Sequence, residues 1–132
     1  MTTDVIEGKI VKTKISQSEL DVMDVLWREP TLGATEVANR LAEKKDWSDR
    51  TVKTLLARLV EKGALSTEKD GRRFLYTPTV SREDYAGPAT RSFAKRLFGG
   101  RAAPLVAHLA EGEGLSDEDI AELEALIESL KS

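Results

Sequence analysis

The stretch from Ser48 to Pro78 restricts the fold of this chain more than any other, because an amphipathic helix there runs straight into a tight hairpin. Ser48 is a good N-cap, and Asp49 suits the positive end of the helix dipole. Val52, Leu55, Leu56, Leu59 and Val60 follow the i, i+3, i+4, i+7, i+8 spacing of one continuous apolar face. At about 100° per residue the opposite face carries Arg50, Lys53, Thr54, Ala57 and Arg58, with Thr51 at its edge. Those side chains are donors for phosphates and base edges, set around an alanine small enough to let a groove approach. Gly63 supplies the left-handed residue that closes a helix. Leu65, Thr67 and Lys69 then alternate, Asp70-Gly71 follows, and Arg72, Phe74 and Tyr76 resume the alternation. Asp-Gly between alternating runs predicts a hairpin whose turn residues both take positive φ, with Arg72 and Arg73 at its tip. Pro78 stops the second strand.

Two helices precede this unit. Ser16 and Glu19 have capping-box spacing, and Ile15 and Leu20 are placed to staple the same helix start. Leu20, Met23 and Trp27 recur on one face, widened by Leu26, until Pro30 ends the helix. A shorter helix is expected from Ala34 to Glu43, with Gly33 as its cap and Val37, Ala38 and Leu41 as its apolar stripe. Three helices followed by a hairpin is the order of a winged helix-turn-helix. In that fold the third helix enters the major groove and the hairpin wing reaches flanking backbone. The expected fold class is mainly α with a small β-hairpin wing and a C-terminal helical region.

Residues 1–14 read as an N-terminal tail, 15–80 as the winged helix-turn-helix domain and 81–132 as a helical dimerisation domain. Ser81 and Asp84 open a helix through Tyr85, Phe93, Leu97 and Phe98, interrupted or softened near Gly87-Pro88 and broken at Gly99-Gly100. A short helix carries Pro104, Leu105, Val106 and Leu109, and Ser116 caps a last helix with the stripe Ile120, Leu123, Ile127 and Leu130, broadened by Leu126. Helices this short cannot bury such stripes on themselves, so Phe98, Leu105, Val106, Leu109, Ile120, Leu123, Ile127 and Leu130 are expected to pair with a second copy. A two-fold dimer also matches a palindromic site, its reading helices about 34 Å apart.

The net charge of −3 argues against nucleic acid only as an average. Residues 1–80 hold 14 Lys and Arg against 13 Asp and Glu, whereas residues 81–132 hold 6 against 10. Ser48 to Pro78 alone holds 7 against 4, and local charge governs local binding. The absence of cysteine excludes disulfides, zinc fingers, thiolate sensors and cysteine nucleophiles. With His108 as the single histidine, no metal site or cofactor is expected, and no pair of residues is set as a nucleophile and its base. The chain is therefore not read as an enzyme. Trp27 and Trp47 read as packing residues, His108 as a surface or interface residue, and Asp117 to Asp119 as partners of a helix dipole. No apolar run spans a bilayer and the N-terminus lacks a signal-peptide core, so no direct membrane binding and a cytoplasmic location are expected.

The run Ile15-Ser16-Gln17-Ser18-Glu19-Leu20-Asp21-Val22-Met23 leading to Leu26-Trp27 resembles the start of the BlaI/MecI (penicillinase repressor) family. So does Trp47-Ser48-Asp49-Arg50-Thr51-Val52-Lys53-Thr54-Leu55-Leu56-Ala57-Arg58-Leu59 running into Lys62-Gly63-Ala64-Leu65. The wing, the Tyr76-Thr77-Pro78 exit, Leu97-Phe98-Gly99-Gly100 and Leu115-Ser116 extend the likeness over about Ile15 to Leu130. The resemblance implies a dimeric repressor on dyad operators upstream of genes for β-lactamase, modified penicillin-binding protein or copper handling. In the antibiotic-responsive branch a membrane sensor with a metalloprotease domain acts as a partner, and the repressor is cut at an Asn-Phe bond. Aligned on Leu105-Val106 and Leu115-Ser116, the bond here is His108-Leu109, a different pair that stands as the candidate cleavage bond. Nor does the copper branch's cysteine cluster exist here.

The resulting expectation is a sequence-specific, homodimeric repressor that contacts double-stranded operator DNA through Ser48, Arg50, Thr51, Lys53, Thr54, Arg58, Arg72 and Arg73. Two other readings fit the pattern less closely. One is a winged helix used only for protein interaction, which the acidic half leaves room for. The other is a small-molecule-responsive repressor of the MarR type, with a ligand pocket at the dimer interface.

Overall fold

Helix α1 (Gln17–Arg28) starts where the capping box places it: Ser16 N–H donates to Glu19 Oε1 at 2.8 Å, and Glu19 N–H donates to Ser16 Oγ at 3.2 Å. This is a computed structural model, and it describes residues 4–6, 9–11 and 14–131. Strands β1 (Asp4–Ile6) and β2 (Lys9–Val11) pair antiparallel ahead of α1. After Pro30, strand β3 (Leu32–Gly33) leads into α2 (Ala34–Leu41), then α3 (Asp49–Glu61), β4 (Leu65–Asp70) and β5 (Arg73–Pro78). Helix α4 (Arg82–Phe98), α5 (Ala102–Glu111) and α6 (Asp117–Lys131) complete the chain. The fold is thus mainly helical with a three-stranded antiparallel sheet of order β3-β5-β4.

Side chains from α1, α2 and α3 make the core. Val22, Met23, Leu26, Val37, Val52, Leu56 and Leu59 are essentially inaccessible, and Ala64, Leu65 and Val80 close it beneath the sheet. Burying each large aliphatic is worth about 1.5–3 kcal/mol, which makes this face the principal stabilising element. A Schellman motif ends α3: Ala64 N–H reaches Leu59 O at 2.9 Å and Gly63 N–H reaches Val60 O at 3.0 Å, with Gly63 at φ +85°. The first strand of the wing therefore starts directly from the core.

One charged group lies inside that core. Glu19 is 2% exposed and pairs with the Lys62 ammonium, which also donates to Lys14 O at 2.8 Å. Burial opposes ionisation of Glu19, but hydrogen bonds from Lys62 and the Ser16 backbone outweigh it and hold the carboxyl below its ordinary value. At the other end of α1, Trp27 Nε1–H donates to Val80 O at 2.8 Å. The Arg82 guanidinium stacks 5.0 Å from the same ring and pairs with Asp24, while Tyr85 lies 6.2 Å from it. Trp27 thus fixes the first turn of α4 onto α1, the packing role expected of it. Trp47 also packs at the edge of the core.

Four local details differ from the sequence reading. Helix α2 stops at Leu41, short of Glu43, because Leu41 O accepts from Lys44 N–H and Lys45 N–H and the chain turns there. The wing loop is Gly71-Arg72, since Asp70 pairs with Arg73 across the ladder. Only Gly71 of these two has positive φ (+66°), as a type II′ turn needs at its first central position. Helix α4 runs unbroken through Gly87-Pro88. Proline's fixed φ is itself helical, so its cost here is the lost hydrogen bond to the Asp84 carbonyl and the crowding of that carbonyl by the ring. The two-residue strand β3 was not anticipated. Before it, Thr31 sits at φ +73°, a strained value for a β-branched residue, and its hydroxyl meets that of Thr77 on β5 at 2.9 Å.

The chain divides into two compact units, the first ending at Pro88 and the second beginning at Ala89. Within the second, no residue of α5 or α6 is fully buried, and Phe98 contacts Phe93 and His108 at ring separations of 6.5 and 5.4 Å.

Replacing Lys62 by Met should destabilise the chain by about 3 kcal/mol, because it strands a buried carboxylate. Glu19's contribution should be full above the ordinary glutamate value of 4.5 and disappear as pH falls through its lower folded-state value. Urea midpoints from pH 7 to 3 should therefore show the gap between native chain and Lys62→Met narrowing with acid. A constant gap would assign the acid loss to other groups.

Candidate nucleic-acid interface

Helix α3 presents its two faces as its spacing requires. Val52, Leu55, Leu56 and Leu59 are buried, while Arg50, Thr51, Lys53, Thr54, Ala57 and Arg58 are exposed on the other side. Ser48 Oγ accepts the Thr51 N–H at 3.1 Å and lies 3.1 Å from Thr51 Oγ1, so the cap and the first-turn hydroxyl are locked together. Thr54 Oγ1 donates to Arg50 O at 3.0 Å, which leaves its oxygen lone pairs facing outward as acceptors. Among the described residues no carboxylate lies within 4.0 Å of the cationic groups of Arg50, Lys53 or Arg58. Their charge is uncompensated. Arg50, Thr51, Thr54, Leu55 and Arg58 line a shallow concavity of about 320 Å³.

A second concavity, of about 380 Å³, lies where the wing meets α2 and α3, and it gathers Lys53, Arg72, Arg73, Phe74 and Tyr76 around the start of α2. This brings one cation of α3 together with both arginines of the wing. The two arginines are not equivalent. Arg72 occupies the exposed loop with no ion pair among the described residues. Arg73 is tied down: its Nη1 pairs with Glu36 at 3.1 Å and its Nε lies 3.6 Å from Asp70. Glu36 also accepts the Gly33 N–H at 2.9 Å, so one carboxylate caps α2 and pairs with the loop end of the wing. The wing partner of Glu36 lies 37 residues away, a pairing that no sequence pattern marks. Phe74, 51% exposed in the same concavity, was likewise not singled out.

The residues expected to pair two copies are all on α4, α5 and α6. Leu109, Ile120, Ile127 and Leu130 are exposed, and Phe98, Leu105, Val106 and Leu123 are half-buried. His108 and Leu109 lie in the last turns of α5, with the bond between them in helical backbone. No described helix is long and apolar enough to cross a membrane.

Residues 15–129 match the family model described as penicillinase repressor. The chain is 38% identical over 119 residues to the penicillinase repressor of Bacillus licheniformis, covering 90% of this chain and 93% of that one. It is 31% identical over 114 residues to the methicillin resistance regulatory protein MecI of Staphylococcus aureus (strain N315), covering 86% and 93%. Among solved structures, the DNA binding domain of the repressor BlaI is similar with a TM-score of 0.50 and 43% identity, over 55% of this chain and 88% of that domain.

Arg73→Ala should change unfolding free energy by no more than about 0.5 kcal/mol, because both of its ion pairs are solvent-exposed. Gly71→Ala should cost about 1 kcal/mol through its positive φ, although a Cβ there meets no neighbour. Guanidinium denaturation of the two variants checks the order. A larger loss from Arg73→Ala would make that residue structural.

Proposed function

The chain belongs to the penicillinase repressor family, and on that premise we propose that it is a sequence-specific DNA-binding transcriptional repressor acting as a homodimer on dyad operators. The observation that carries the reading is the exposed, uncompensated cationic face of α3 in a winged-helix frame. On this reading α3 enters the major groove, where Arg50 and Arg58 reach base edges or phosphates and Thr51 and Thr54 offer hydroxyls. Ser48 sets the start of the helix, so its backbone end faces the phosphates with the positive pole of the dipole. Lys53 and Arg72 neutralise the backbone passing between helix and wing. Arg73, held by Glu36 and Asp70, orients the wing and lends it charge.

A dimer with its reading helices about 34 Å apart would occupy two half-sites on one face of the duplex, and bound DNA would be closed to transcription. The chain works in the cytoplasm on this reading and carries out no chemistry of its own. A membrane sensor protease is a partner that the family suggests. A cut at His108-Leu109 would require the last turn of α5 to open first, because the bond lies in helical backbone.

Binding to the DNA upstream of its own gene, followed by fluorescence anisotropy across a salt series, should give a log–log slope of about −0.9 per phosphate neutralised. Arg58→Ala should cost about 1–3 kcal/mol on the cognate site and less on scrambled DNA. Arg72→Ala should weaken both equally and reduce the slope by about one. Equal affinity of the native chain for cognate and scrambled duplexes throughout the series would sink sequence specificity.

A further inference from the structure

The charge of the second unit is divided along the chain. From Ala89 to Ala110 there are four cations, Arg91, Lys95, Arg96 and Arg101, and no carboxylate. From Glu111 to Ser132 there are eight carboxylates against Lys131. Helical projection places these charges along the edges of the apolar stripes. The α4 stripe of Phe93, Leu97 and Phe98 is edged by Arg91 and Lys95 on one flank and Arg96 on the other. The α6 stripe of Ile120, Leu123, Ile127 and Leu130 is edged by Glu124 and Glu128 on one flank and Glu122 on the other.

Neither stripe is fully covered among the described residues: Leu97 is 61% exposed and Leu130 75%. None of the four cations has a carboxylate within 4.0 Å among the described residues. Two uncovered apolar stripes with rims of opposite sign are complementary to each other and not to themselves. Pairing α6 with α6 would set carboxylates against carboxylates, and pairing α4 with α4 would oppose cations. The apolar stripes supply affinity, and the rims choose the partner and register.

We propose that in the homodimer the acidic α6 of one copy lies across the basic α4 of the other, an unlike contact made twice about the two-fold axis. This rests on the dimer of the preceding reading. Two reversed chains test it, one carrying Arg91→Glu, Lys95→Glu and Arg96→Glu, the other Glu122→Lys, Glu124→Lys and Glu128→Lys. Sedimentation equilibrium should show each alone dimerising about tenfold or more weakly than the native chain. A one-to-one mixture should regain native association as a heterodimer, because both of its unlike contacts are again opposite in charge. Differently labelled chains report the heterodimer by energy transfer. The neutral variant Arg91→Gln, Lys95→Gln, Arg96→Gln should still pair but lose the salt dependence of the native dimer.

A native chain that is monomeric at micromolar concentration overturns the dimer itself. A native dimer whose reversed chains pair normally, or whose mixture fails to recover, overturns only the unlike contact. So does a neutral variant with undiminished salt dependence.

Discussion

The first unit depends on one buried carboxylate. Glu19 caps α1 through Ser16, receives the Lys62 ammonium from the end of α3, and through that lysine holds the chain entering at Lys14. A charge at this depth survives only because every one of its partners is in place. The same lysine is the C-cap of α3, followed at once by Gly63 and the first strand of the wing. The pair therefore sets where α3 ends and where the wing departs, and the spatial relation of the two DNA-facing elements follows from it. Apolar burial stabilises the three helices, and this pair fixes their register.

Outward from that core, electrostatics follows position and not the total. The net charge of −3 arises from carboxylates concentrated in the last helix, while α3 and the wing loop keep cations with no ion pair among the described residues. Where a cation of the wing is neutralised, at Arg73, the neutralising group is a helix cap that also shapes the site. The first unit thus holds arginines in ion pairs, such as Arg40, Arg73 and Arg82, beside arginines without one among the described residues, Arg50, Arg58 and Arg72. Lys53 belongs to α3 yet lines the wing concavity with Arg72 and Arg73.

Much of this was legible because it is local. The capping box of α1, the apolar face of α3 and the closing role of Gly63 all reside within a few residues, and each is found as read. What escaped was either distant or degenerate. Lys62 lies 43 residues from Glu19 and Arg73 lies 37 from Glu36, and no periodicity marks such pairs. The hairpin was legible but its loop was displaced by one residue, because an alternating pattern fits either placement and only the ladder decides. Strand β3 has two residues, too few for any alternation to register. Helix α4 continues through Pro88 although the ring removes one backbone bond and crowds the Asp84 carbonyl, so a local penalty was read as an interruption.

The last three helices, none of whose residues is fully buried, have a consequence for dosage. If their cover comes from a second copy, ordering and pairing are a single equilibrium, and the paired form grows as the square of the free chain. Halving the cellular stock of a dilute chain would then cut the paired form by about fourfold, not twofold. A promoter governed by the pair would respond to its repressor as a threshold, with a steepness set by uncovered leucines far from any base.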